Sequence, residues 1–339
     1  MKRSTIVDVA QLAGVSIKTV SRVLNRESKV RQTTFDRVER AMKELHYQPN
    51  SSGRRLATNR TFLIGLVYDN TNASSSYINK VQDGALEACN EDHYDLLIHP
   101  CRHKDPSLLE QLGNLVTAPR VDGLLLTPPI SDRPDVQALM QKVDVPNVVI
   151  SRQSVTDTDW TVCTDDQNIC AQMVKHLFDL GHERIAYIKG HPDHRAMLNR
   201  YMGYQDGMSN SGLDVLASLV VQGDLTFESG VECGKELLNL KPRPTAVFCA
   251  NDHMAAGVIK VAHEMGLSIP GDVSVAGFDD VPLAAQIWPQ LTTIRQPVVR
   301  MSHLAGSLLI ERLRGATSSD VNRIVNAELV IRESTGVVP

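Results

Sequence analysis

The chain has 339 residues, is 42% hydrophobic but only 4% aromatic, and carries a net charge of −4. That length accommodates two or three domains, and the absence of any run of 18 or more apolar residues predicts no membrane-spanning helix. The start, MKRSTIVDVAQ, is basic and turns polar without the apolar stretch of a secretory signal, which predicts a cytoplasmic protein.

The charge is unevenly placed. Residues 1–60 hold 13 Lys/Arg against 5 Asp/Glu, a balance of +8, and residues 61–339 hold 22 against 34, a balance of −12. A basic head on an acidic body points to a head that meets a polyanion. The six cysteines (Cys89, Cys101, Cys163, Cys170, Cys233, Cys249) are scattered without a C-x-x-C pair. They predict neither a zinc site nor a disulfide framework, but buried reduced thiols.

The first elements are helical. Thr5 is placed to cap a helix, with Asp8 three residues on, and Val9, Ala10 and Leu12 give that helix an apolar side. Gly14 breaks it with a tight turn, and Ser16 caps a second helix. Val20, Val23 and Leu24 face inward there. A small residue at 10, a turn residue at 14 and a branched residue at 20 suit two helices crossing steeply, a helix-turn-helix. Its outward face carries Ser16, Ile17, Lys18, Thr19, Ser21, Arg22 and Asn25. Hydroxyls and an amide suit phosphate oxygens, Arg22 suits the O6/N7 edge of guanine, and Ile17 and Lys18 stand at the helix start where base edges lie. A third helix from about Thr33 keeps Phe35, Val38, Met42 and Leu45 in one stripe and closes a three-helix core.

TIVDVAQLAGVSIKTVSRVLN, followed by KVRQTTFDRVERAMKELHYQPN, resembles the head of the lac repressor (LacI/GalR) family of bacterial transcription regulators. The resemblance implies that Thr5 joins the DNA-contacting set and that residues 50–61 form a hinge helix or linker. In the family, such a hinge orders on operator DNA and pushes a leucine into the minor groove. Leu56 matches that lever, and an apolar wedge that bends the duplex is an established device. Asn50 ends the head, and Arg54 and Arg55 can neutralise phosphates. Gly53 departs from the family's usual Ala, at a cost of about 1 kcal/mol in a helix interior.

From Thr61 the pattern changes. TFLIGLVYD, YDLLIHPC, VDGLLLTPP and VPNVVISR are strand-like apolar runs, with a helix near Tyr77–Cys89 and another from about Pro106. The pattern restarts at RIAYIKG and continues through AVFCAND, VSVAGFDD and LTTIRQP. Apolar strands alternating with helices predict an α/β body of two doubly wound parallel sheets with a cleft between them. It resembles the periplasmic-binding-protein-like effector domain of the same family. The expected organisation is a head over 1–49, a hinge over 50–61, and an effector and dimerisation domain over 62–339. The resemblance implies three crossings, near Cys163, Thr293 and Ile324. They divide the body into a first subdomain, about 62–161 plus 293–322, and a second, about 162–292 plus 323–339.

Ligands bind at the carboxyl ends of parallel strands. The resemblance implies that Arg200 grips an effector with forked donors and that Asp279, in GFDD, accepts hydroxyls or amines. Asn251, Asp166 and Thr127 face the same cleft by analogy, Tyr77 holds an aromatic position beside Ile78, and Trp288 offers a stacking platform. Leu225 stands where some relatives place an aromatic. Asp252 and Asp280 read as structural, and His191 and His194, in HPDHR, as surface histidines without a third ligand at metal spacing.

No nucleophile or Gly-rich phosphate loop accompanies these groups, so the chain reads as no enzyme and needs no cofactor or metal. The reading is a transcriptional repressor of carbohydrate-utilisation genes, bound to double-stranded operator DNA at a palindrome and released by a mono- or disaccharide. A purine-responsive or other corepressor-type regulator is the alternative, and a solute-binding protein is remote. The resemblance implies a symmetric homodimer on two half-sites; the chain stops at ELVIRESTGVVP without the heptad tail through which the lac repressor itself forms tetramers. No membrane partner is expected.

Overall fold

A computed structural model describes residues 4–24, 30–47, 60–70, 75–117, 120–151, 160–315 and 322–338. The chain falls into two units, Met1–Phe62 and Leu63–Pro339.

In the first unit, helices α1 (Ile6–Ala13), α2 (Ile17–Leu24) and α3 (Gln32–Glu44) enclose a small core of Val9, Ala10, Ala13, Val20, Val23, Leu24, Val38, Ala41 and Met42. Thr5 and Asp8 form a reciprocal capping box at the start of α1, which satisfies two of the four donors a helix start leaves open. Gly14 ends α1 at φ +63°, a conformation that costs a residue with a Cβ about 1–2 kcal/mol. Leu12, expected on the inner face, is 46% exposed. Ala13 takes its place because it lies three and four residues from the buried Ala10 and Val9, one turn along the same face. Phe35 and Leu45 are partly buried against the core, as the stripe on α3 predicts.

The second unit holds the two sheets. The first has the order β11-β5-β4-β3-β1-β2, all parallel, from β1 (Leu63–Asp69), β2 (Asp95–Cys101), β3 (Gly123–Leu126), β4 (Asn147–Ile150), β5 (Thr161–Cys163) and β11 (Asn322–Ile324). Helices α4 (Ser75–Glu91) and α12 (Val298–Leu313) pack on each other on one side, and α5 (Leu108–Thr117) and α6 (Pro134–Val143) pack together. The second sheet has the parallel order β7-β6-β8-β9, from β6 (Ile185–Lys189), β7 (Val220–Gln222), β8 (Ala246–Cys249) and β9 (Ser274–Ala276). Helix α7 (Asp166–Asp179) packs on α8 (Arg195–Asn210), and α9 (Phe227–Leu238) on α10 (Asp252–Glu264). A short helix, α11 (Pro282–Gln286), follows β9. Helices α7 and α8 meet closely at Gly203, where a Cβ would stand 2.2 Å from the Gln167 carbonyl oxygen.

A two-stranded antiparallel pair, β10 (Thr293–Arg295) with β12 (Glu328–Val330), completes the body. Bridges Ala276–Thr292 and Asp279–Arg295 align β10 with the second sheet. The chain therefore leaves the first sheet after Cys163, returns after Arg295 and leaves again after Ile324. The six cysteines are buried and unbridged, and among the described residues no helix is long and apolar enough to cross a membrane.

Candidate functional site

In the head, α2 divides its faces cleanly. Val20, Val23 and Leu24 are buried, while Ser16, Ile17, Lys18 and Arg22 are exposed and Thr19 and Ser21 half-buried. Ser16 Oγ accepts the Thr19 N–H at 3.1 Å and lies 2.9 Å from Thr19 Oγ1. The Thr5 hydroxyl donates to Asp8 Oδ2 at 2.7 Å, so its first duty is capping. Asn25, Asn50, Gly53, Arg54, Arg55 and Leu56 lie outside the described residues.

In the body, a cavity of about 350 Å³ opens between the two sheets, at the carboxyl ends of their strands. One wall carries Asp69, Tyr77, Ile78, His103, Pro128, Pro129 and Ser151; the other carries His191, His194, Met197, Arg200, Asp224, Leu225, Asn251 and Asp279; Gln296 lies at the crossing between them.

Arg200 organises this site. It projects from α8 and its guanidinium lies 3.5 Å over the Phe278 ring. Its Nε donates to Asp166 Oδ2 at 3.1 Å, Nη1 to the Ala250 carbonyl at 2.5 Å and Nη2 to Asp279 Oδ1 at 3.2 Å. Burial works against its charge, but Asp279 and Asp166 hold the guanidinium pKa above its ordinary value. Burial in turn pushes Asp279 up against the pull of Arg200. Asp279 and Asp280 follow β9 at φ +108° and +48°. Consecutive non-glycine residues in that region are costly and cluster where a side chain must be aimed.

Of the seven expected effector-binding residues, Tyr77, Arg200, Asn251 and Asp279 line the cavity. The Tyr77 hydroxyl lies 2.5 Å from Ser151 Oγ, and burial drives its phenol pKa up. Asn251 caps α10 by accepting the Met254 N–H and donates to the Leu225 carbonyl at 2.8 Å, which fixes the loop bearing Leu225. The other three do not line it. Asp166 lies behind Arg200, bonded also to Thr164 Oγ1 and Gln296 Nε2, so it positions the guanidinium. Thr127 is fully buried beneath the floor and donates to the Val67 carbonyl. Trp288 is 75% exposed and outside the lining, because the segment after α11 turns it to the surface.

Asp252 and Asp280 are structural. Asp252 is buried, accepts Thr293 Oγ1 at 2.5 Å and the Val281 N–H at 2.9 Å, and burial holds its pKa well above the carboxylate range. Asp280 braces Arg295 and Arg332. The histidines overturn the surface reading: His191 and His194 line the cavity, and burial, with Arg200 nearby, lowers the His194 pKa to about 3. His194 is neutral at pH 7.

Sequence reasoning also missed Asp69, His103, Ser151, Asp224 and Gln296. Gln296 Oε1 is buried with no hydrogen-bond partner among the described residues, an acceptor available to a ligand donor. Asp69 is the last residue of its strand and the other four follow a strand end within two residues, a signal present in LIGLVYD, YDLLIHPCRH, VVIS, VVQGD and TTIRQ. Several donors and acceptors with an apolar wall suit a small molecule with both hydroxyl edges and apolar faces.

The family model for bacterial regulatory proteins of the lacI family matches residues 5–50, and that for periplasmic binding protein-like domains matches residues 174–335. The chain is 34% identical over 315 residues to the ribose operon repressor of Escherichia coli (strain K12), covering 93% of this chain and 94% of that one. This chain belongs to the lac repressor family of bacterial transcription regulators. The regulator is likewise 34% identical over 341 residues to the HTH-type transcriptional repressor PurR of Photobacterium profundum, with 98% of each covered. Its structure matches a transcriptional regulator CelR–cellobiose complex with a TM-score of 0.76 at 32% identity, over 98% of this regulator and 100% of that chain. It also matches the lac repressor dimer bound to operator and the anti-inducer ONPF, with a TM-score of 0.71 at 29% identity, over 99% and 100%.

Proposed function

We propose that this regulator is a homodimeric repressor of carbohydrate-utilisation genes, released from a palindromic operator when a mono- or disaccharide fills the cleft. The observation that carries the reading is the Arg200–Asp279 pair within the cavity, a forked donor beside a carboxylate acceptor at 3.2 Å. Adjacent sugar hydroxyls match such a donor–acceptor pair, and Ile78, Met197 and Leu225 cover the apolar faces of a ring. CelR with cellobiose and the ribose operon repressor support a sugar effector, and the operator-bound lac repressor dimer supports dimeric binding.

On the head, Ser16, Ile17, Lys18, Thr19, Ser21 and Arg22 meet the major groove, with Asn25 after them, Thr5 and Asn50 at the edges, and Gly53, Arg54 and Leu56 in the hinge. A dimer places two such heads on two half-sites. The effector shifts DNA binding by its difference in affinity between the two states of the regulator.

Thermal shift against a panel of sugars and purines tests the reading, since a ligand of the native state raises the melting temperature. A sugar that raises it and weakens operator binding supports release by induction. A purine that raises it and strengthens operator binding replaces the sugar reading with corepression.

A further inference from the structure

At the mouth of the cleft, His103 comes from the loop after β2 in the first subdomain, and His191 and Asp193 from the loop after β6 in the second. One ligand atom from each lies within 4.8 Å of the others. His103 Nε2 is 3.7 Å and His191 Nδ1 is 3.9 Å from Asp193 Oδ2. Two ligands on a tetrahedral zinc at about 2.0–2.1 Å stand roughly 3.4 Å apart, so small side-chain shifts bring these atoms onto one ion. We infer that His103, His191 and Asp193 form a binding site for a divalent cation of the zinc class, one that ties the two subdomains together across the cleft.

The surroundings of His103 carry the argument beyond proximity. Asp69, 6% exposed, lies with Oδ2 3.0 Å from His103 Nδ1 and accepts the His103 backbone N–H through Oδ1 at 2.8 Å. With Nδ1 as donor, the Nε2 lone pair is directed at the cluster. Nε2 is buried and has no hydrogen-bond partner among the described residues. A carboxylate that orients a histidine through its other nitrogen is the arrangement that metal-ligating histidines use.

His191 Nδ1 accepts the Asp193 backbone N–H at 3.1 Å. It is therefore already a lone-pair-bearing nitrogen, and occupancy exchanges that bond for the metal. Asp193, 53% exposed, closes the site on the solvent side, where Lys104 Nζ competes for the same carboxylate oxygen at 3.7 Å. Two imidazoles with one carboxylate favour zinc or its neighbours over magnesium or calcium, and the buried thiols offer no rival soft ligands at the surface. Three protein ligands leave a fourth position open to water or to a hydroxyl of the cleft's occupant.

The test uses tag-free full-length protein stripped with chelator, titrated with zinc chloride against a chromophoric competitor. The inference expects one ion per chain, with affinity reduced at least tenfold by His103→Ala and by His191→Ala alike. Asp69→Asn should reduce affinity by 10- to 100-fold through the orienting bond. His263→Ala, on the exposed face of α10 outside the cavity lining, should bind as the wild type does. Far-UV circular dichroism confirms that each variant is folded, and His103→Gln and His191→Gln replace any that is not. Absence of binding by the wild type overturns the site. Loss on His191 substitution but not on His103 substitution overturns the link between subdomains.

Discussion

Arg200, on α8, and Asp279, after β9, face each other at 3.2 Å on one wall of the cleft, while Asp166 holds the same guanidinium from behind at 3.1 Å. The side-chain exposures are 6% for Arg200 and Asp166 and 18% for Asp279. One carboxylate is thus committed to holding the guanidinium, and the other is open to exchange its bond for a ligand.

That division separates two variants. Asp279→Ala should abolish the effector-induced rise in melting temperature and the effector response at the operator, while Asp166 still neutralises Arg200. A normal response in operator titrations would remove Asp279 from the site.

Asp166→Ala should act on stability first. It strips Nε of its partner and leaves a buried guanidinium half-compensated, and breaking one side of a buried pair costs about 3–5 kcal/mol. Urea unfolding of the variant should show a clear loss; an unchanged midpoint would mean that Asp279 alone balances Arg200.

In the head, Gly14→Ala forces a Cβ onto φ +63° at about 1–2 kcal/mol. The head core is small, so operator binding should weaken while the melting transition of the effector domain stays in place. Equal loss in both would contradict the division into two units.

Arg22→Ala tests the reading face of α2. A residue that contacts a base edge costs about 1–3 kcal/mol and relaxes specificity at one position. Anisotropy titrations on operator variants should show that pattern; a uniform loss with a shallower salt dependence would assign Arg22 to phosphate instead.

His194 gives a pH dependence of defined sign. Its folded pKa is lowered to about 3, against roughly 6.5 for an unperturbed histidine. Its contribution is therefore full above pH 6.5 and falls as the pH drops from there toward 3, because only the unfolded chain takes up the proton. The slope is about 1.4 kcal/mol per pH unit for one proton. His194→Gln should remove that share of the fall in stability between pH 6.5 and 4. Parallel curves for wild type and variant would show that His194 titrates normally in the fold.

The sequence by itself determined the elements and most of the head. Capping at Thr5, the break at Gly14 and the stripe on α3 are local, so spacing alone reads them. Leu12 was misread because adjacent helical positions differ by only about 100°, and the neighbouring helices decide which edge of the stripe is covered. The restart at RIAYIKG revealed two parallel sheets because strands buried on both faces are continuously apolar. The cavity lining was legible where a motif ends a strand, as in CAND and GFDD, and at Arg200, which the resemblance singled out. Only the tertiary structure decided which polar groups share one space. Asp166 and Thr127 stand beside strand ends but behind the wall, Trp288 turns outward, and His103 meets His191 from a loop 88 residues away in the chain. Periodicity reports which way a side chain points within its own element. It carries no information about which side chain from the other sheet will stand opposite, because that depends on how the two sheets close over the cleft.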